Sequence, residues 1–143
     1  GIVNELYAKM FDNNGFAFIA GRVKFIMINT SAIEYDYSEP VPDFDFLEAE
    51  ATRDSALFDR SVACMHAAPY SEQFNNNVLK PFNYYVMNFP NLMFCLYGHG
   101  HQIDEHDFFN NGIIYYEVAA AKKRKYRIFT ITPNGYANEV ISL

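Results

Sequence analysis

Two almost unbroken apolar runs constrain this chain more than any other feature. They are Val23-Lys24-Phe25-Ile26-Met27-Ile28-Asn29 and Leu92-Met93-Phe94-Cys95-Leu96-Tyr97. Each has the length of one strand and lacks the alternation of a strand with one wet face. Strands of that kind belong inside a sheet covered on both sides. A third run, Arg60-Ser61-Val62-Ala63-Cys64-Met65-His66, reads the same way and stops at Ala67-Ala68-Pro69. Phe16 to Ala20 lies only Gly21-Arg22 away from the first run, which predicts a hairpin. Helices are predicted from Asp43, a capping residue ahead of Phe44, Phe46, Leu47 and Glu50, and over Asn75 to Phe89 with Pro81 in the first turn. Gly1 to Asn14 shows helical spacing of Ile2, Leu6, Met10 and Phe11. Gly112–Ala119, Tyr126–Thr132 and Tyr136–Ile141 have no helices between them and read as an antiparallel meander. The expected class is therefore α/β, a mixed β-sandwich flanked by helices, over residues 1–143 as one domain.

Composition excludes several alternatives. Half of the residues are hydrophobic and 17% are aromatic, so disorder is excluded. No apolar run approaches the ~20 residues of a membrane-spanning helix. The net charge of -6 disfavours nucleic-acid binding, and phosphate chemistry here would need bound cations. Two cysteines, Cys64 and Cys95, make no disulfide scaffold and sit in apolar runs as core thiols. The chain starts at Gly1 rather than Met, so the expectation is a piece of a longer protein, with no localisation assigned.

Three of the four histidines stand at the ends of apolar strands. His66 ends one, and His99 and His101 follow another within Gly98-His99-Gly100-His101. Ligands of open α/β sheets collect beyond the carboxyl ends of the strands. If the two strands are parallel neighbours, the three imidazoles meet at one rim, where they suit a first-row metal.

These residues resemble the C-terminal half of the calcineurin-like metallophosphoesterases. Gly98-His99-Gly100-His101 matches the family's G-H-x-H motif in full. Met65-His66-Ala67-Ala68-Pro69 resembles its H-x-P-P motif, with Ala68 in place of the first proline. Phe16–Thr30 is similar to its strand–Gly–strand segment, and Asp43–Glu50 to its Q-x-x-W-L helix, with Phe46-Leu47 for Trp-Leu. The resemblance implies the C-terminal portion of an αββα sandwich that hydrolyses a phosphate mono- or diester. It implies two divalent ions (Mn, Fe or Zn) and a metal-activated water, with no catalytic side chain supplied from this chain. His66 and His99 would bind one ion and His101 the other.

The family's D-x-H, G-D-x-x-D and G-N-H-[DE] motifs do not stand upstream of His66. Asp104-Glu105-His106 spells D-x-H but follows the G-H-x-H turn and reads as a polar loop. The chain alone is thus expected to be inactive, to bind one metal ion or none, and to need an N-terminal half. Exposed sheet edges would favour a homo-oligomer. The alternative is a non-catalytic module for metal binding, with Asp104 or Cys64 as fourth ligand, or for protein contact. Lys122-Lys123-Arg124-Lys125 reads as a solvated turn, Tyr84-Tyr85 and Tyr115-Tyr116 as core or sheet faces. Tyr70, Ser71 and Asn75 are candidates for the pocket rim.

Overall fold

The computed structural model describes residues 15–32, 41–98 and 102–143. The amphipathic stretch at Gly1–Asn14 and most of the loop between Thr30 and Pro42 lie outside the described residues, as do His99, Gly100 and His101.

The hairpin forms as the sequence predicts. Strand β1 (Gly15–Ala20) pairs antiparallel with β2 (Val23–Ile28), Ala20 opposite Val23. Gly21 and Arg22 both take positive φ, 56° and 63°, as a two-residue loop that matches strand twist demands. Strand β3 (Arg60–Met65) lies parallel to β2, and β4 (Leu92–Tyr97) parallel to β3. With β5 (Glu105–His106) and β6 (Tyr115–Glu117), a six-stranded mixed sheet results, in the order β1-β2-β3-β4-β6-β5.

Among the described residues, two short α-helices cover one face. Helix α1 (Phe44–Glu50) is capped by Asp43, whose carboxylate accepts from the Asp45 and Phe46 amides at 3.0 and 3.2 Å. A 3₁₀ turn at Asn76–Val78 leads into α2 (Leu79–Met87). Leu47, Phe82, Val86 and Phe89 pack on Ile26, Ile28, Ala63, Met65 and Cys95. Strand alternation sends Val23, Val62 and Phe94 to the opposite face, where Phe129, Ile131 and Tyr136 meet them. The Phe94 ring stacks on Phe129 at 4.7 Å. Those three residues belong to a second sheet of three strands, β7 (Ala119–Ala120), β8 (Lys125–Thr132) and β9 (Gly135–Ser142). The α/β class therefore holds, with a mixed sheet and, among the described residues, two small α-helices.

The expected meander needs one correction. Its first strand divides. Strand β6 (Tyr115–Glu117) joins the large sheet parallel to β4, and only Ala119–Ala120 pairs antiparallel with β8. The bond from the Cys95 amide to the Ile114 carbonyl, 3.0 Å, starts that parallel pairing. Asp104-Glu105-His106 is not only a loop either. Glu105–His106 forms an edge strand, β5, antiparallel to β6. Its carboxylate lies 3.6 Å from the Arg127 guanidinium of β8, which ties the two sheets together. Tyr115 and Tyr116 are buried as expected, whereas Tyr84 on α2 is 63% exposed. Lys122 to Lys125 is exposed and turns through Arg124 at φ 54°, as a solvated turn should.

Candidate functional site at the carboxyl rim of the parallel strands

A cavity of about 410 Å³ opens where the parallel strands end. Ile28 and Asn29 leave β2 there, Met65 and His66 leave β3, Tyr97 and Gly98 leave β4, and Val118 follows β6. Its position follows from the direction of the four parallel strands. Register sets what lines it. Met27, Cys64 and Leu96 are cross-strand neighbours on one face. One row nearer the carboxyl ends, alternation carries Asn29, His66 and Gly98 on the same face. The floor is thus apolar, and polar groups gather at the mouth.

The turn that carries His66 is locked to the exit of β2. The buried Thr30 hydroxyl donates to the Ala67 carbonyl at 2.8 Å and accepts from the Ala67 amide at 3.0 Å. The Ser31 amide donates to the Asn29 side-chain oxygen at 3.2 Å, and the Ala32 amide to the Gln73 carbonyl at 2.9 Å. His66 itself is exposed at the mouth of this fixed frame.

Of the three predicted ligands, His66 is placed on the cavity. His99 and His101 lie outside the described residues, but the chain enters them directly from Gly98, which lines the same cavity. Among the described residues, no three His, Cys, Asp or Glu side chains gather as a metal cluster. The donor chemistry of His66, an imidazole in the cavity lining, is of the kind that first-row divalent ions take. No Asp or Glu is among the lining residues described. Asp104 does not line the cavity; its carbonyl accepts from the Glu117 amide at 2.9 Å and from Arg127 at 3.2 Å.

Cys64 lines the cavity beside His66, as their shared strand face predicts. Burial pushes its thiol up to about 12, so it is an S–H group at neutral pH. Cys95, on the opposite face, is fully buried and its thiol is raised further by the same desolvation. Tyr97 is a lining residue that the sequence reading missed. Burial, then the nearby Glu117 and Asp104 carboxylates, push its phenol up to about 12 against the opposing pull of Arg127. The rule that found His66, namely to inspect the last residue of each buried parallel strand, would have found Tyr97 too.

These shifts carry a linked expectation. The unfolded chain releases thiol and phenol protons near their ordinary values of about 8.5 and about 10. The folded chain holds those on Cys64 and Tyr97 until about 12. Between these limits the folded state binds more protons, so stability is intact below pH ~8.5 and falls as pH rises towards 12. Urea midpoints measured from pH 8 to 11 should decline, and Cys64 should react only slowly with a disulfide reagent at pH 8. A flat series would contradict this assignment.

No protein-family model matches this chain, and no curated protein matches it significantly. Among the described residues, no helix is long and apolar enough to cross a membrane.

Proposed function

We propose that this chain is the C-terminal part of a calcineurin-like, metal-dependent phosphoesterase that hydrolyses a phosphate mono- or diester. One observation carries the reading. His66 and the Gly98 that leads into His99-Gly100-His101 line one cavity, at the carboxyl ends of adjacent parallel strands. The resemblance of those two segments to the H-x-P-P and G-H-x-H motifs supports the same assignment. In it, the six-stranded and three-stranded sheets are parts of an αββα sandwich, and residues 1–143 are a fragment of the larger domain.

In this reading His66, His99 and His101 hold a pair of divalent ions, Mn, Fe or Zn. When bound, such ions neutralise phosphate charge and lower the pKa of a bound water. The chain's own contribution is positional. The two Thr30–Ala67 bonds fix the backbone of the turn directly after His66, so the frame that carries its imidazole is set before a ligand arrives. Bridging carboxylates would come from an N-terminal half. Met27, Cys64, Leu96 and Val118 form the apolar floor on which that half would sit. The chain by itself would then be inactive.

The test has two arms. The coding sequence upstream of Gly1 is expected to contain D-x-H, G-D-x-x-D and G-N-H-[DE], in that order, within about one further domain length. A protein that includes that segment should hydrolyse 4-nitrophenyl phosphate with added Mn²⁺. His66→Ala, His99→Ala and His101→Ala should each weaken metal binding by at least the roughly 10- to 100-fold that even outer-shell changes cost. Full activity in the His99→Ala/His101→Ala double variant would sink the proposal. An unrelated domain upstream, together with stoichiometric metal binding through the histidines, would favour a non-catalytic metal-binding module.

A further inference from the structure

Tyr70 departs from what an exposed aromatic ring ordinarily does. It lies in the turn that follows His66 and is 58% exposed. Its φ is +71°, a left-handed conformation that a bulky non-glycine residue seldom takes. The conformation is held from outside. The Tyr70 amide donates to the Asn76 side-chain oxygen at 2.9 Å, and the Asn76 amide nitrogen donates to the Ser71 carbonyl at 2.9 Å. The Ser71 amide closes the turn onto the Ala68 carbonyl at 3.1 Å. Backbone strain of this kind persists only where the surrounding structure over-determines it, and it clusters at ligand sites.

The ring leans inward on two others. Its centroid is 6.0 Å from Phe108 and 6.2 Å from Phe109, tilted by 38° and 41°. Phe108 in turn lies 6.1 Å from Tyr97, a wall of the cavity, and stacks on His106 at 5.0 Å. A chain of aromatic rings therefore runs from the cavity to the surface, ending in Tyr70. Among the described residues, Phe108 and Phe109 are the rings that back it, and more than half of its surface stays exposed.

We propose that Tyr70, backed by Phe108, is a stacking shelf for the planar aromatic ring of a ligand whose phosphate points to the rim at His66. The ligand class is a phosphate ester of an aromatic group, either an aryl phosphate or a nucleotide. The direction of the phosphate rests on the phosphoesterase reading; the stacking of the ring does not. Asn76 fixes the Tyr70 backbone and Phe108 and Phe109 back its ring, which lowers the ordering cost when a ring docks.

The experiment titrates the full chain, with Mn²⁺ present, with phenyl phosphate, adenosine monophosphate and glycerol 3-phosphate. Binding is followed by calorimetry and by NMR of the tyrosine ring protons. The aromatic esters should bind roughly 5- to 100-fold tighter than glycerol 3-phosphate, the range expected of one aromatic stack. Tyr70→Ala should abolish that ratio and Tyr70→Phe should keep it. Both variants retain a Cβ, so the backbone conformation is burdened equally and the ratio reports the ring alone. A preference for adenosine monophosphate over phenyl phosphate would assign the shelf to a nucleobase, and the reverse order to a simple aryl group. Equal affinity for all three esters, an unchanged ratio in Tyr70→Ala, or no binding of any ester would overturn the inference. Phenol or adenosine binding as tightly as its phosphate ester would leave the shelf standing and count against the phosphoesterase reading. His66-dependent binding of orthophosphate without any aromatic preference would do the opposite.

Discussion

Gly15→Ala is expected to destabilise this protein by about 3 kcal/mol or more, a large effect for one methyl group. Gly15 opens β1 at φ +154°, opposite Ile28 in the neighbouring strand. A Cβ there would run into the Met27 carbonyl oxygen and lie 2.6 and 2.9 Å from the Cε1 and Cζ atoms of Phe46. The first obstacle is backbone of the hairpin partner, and the second is a ring wedged against the core by α1. Relief would require opening the hairpin or shifting the helix. Gly135 supplies the control. Its φ is +152°, but nothing lies within 4 Å of its Cβ position. Gly135→Ala therefore isolates the conformational cost, on the order of 1–3 kcal/mol. Urea unfolding of both variants is the measurement. A Gly15 variant within 1 kcal/mol of the Gly135 variant, on the ~1 kcal/mol scale of such differences, would show that the hairpin and α1 yield easily.

Lys24→Met is expected to cost about 3–5 kcal/mol, the range for breaking a buried ion pair from one side. Lys24 stands in the middle of an apolar strand, and its position is the one place where β2 departs from its hydrophobic pattern. The side chain is 1% exposed and the Glu50 carboxylate that faces it at 2.8 Å is nearly as buried. Its ammonium also donates to the Glu50 and Arg53 carbonyls, each at 2.7 Å. Those three acceptors use all three ammonium protons. The charge therefore pins β2 to the carboxyl end of α1, where the helix dipole favours a cation. The Phe58 ring, 4.9 Å away, closes the site. Removing the ammonium leaves the Glu50 carboxylate in the core with, among the described residues, only Arg53 as an ionic partner, at 3.3 Å and itself 66% exposed. Lys24→Met/Glu50→Leu should recover much of the loss, because the penalty comes from an uncompensated charge. A single variant as unstable as the double one would mean that packing, not charge, sets the cost.

The parts of the fold that were legible share one property: their signal is local. Asp43 caps α1 because a short carboxylate reaches the next amides. Gly21-Arg22 turns the hairpin because two residues suffice to reverse a strand. Strands β3 and β4 were readable because both faces are buried and every residue is marked by it. The pairing of β6 was not readable in this way. Residues Gly112 to Ala119 look like one strand, yet Tyr115–Glu117 pairs with β4 in one sheet and Ala119–Ala120 with β8 in the other. A parallel neighbour separated by a long connection leaves no trace in the local pattern. Asp104-Glu105-His106 looked like loop for a similar reason, since a two-residue edge strand is defined by its partner alone.

The candidate site divides along the same line. The sequence by itself determined that His66 and Gly98 each follow a buried strand, and that Cys64 shares a face with His66. These facts depend only on strand length and the two-residue period. Only the tertiary structure decided that β3 and β4 are parallel neighbours, so that His66 and Gly98 open on one cavity. It alone brought Tyr97 into the wall, placed Tyr70 in a left-handed turn against Phe108, and buried Lys24 on Glu50. The physical reason is that these arrangements join residues 26 to 38 positions apart in the chain, where register and packing, rather than any local preference, set which side chains meet.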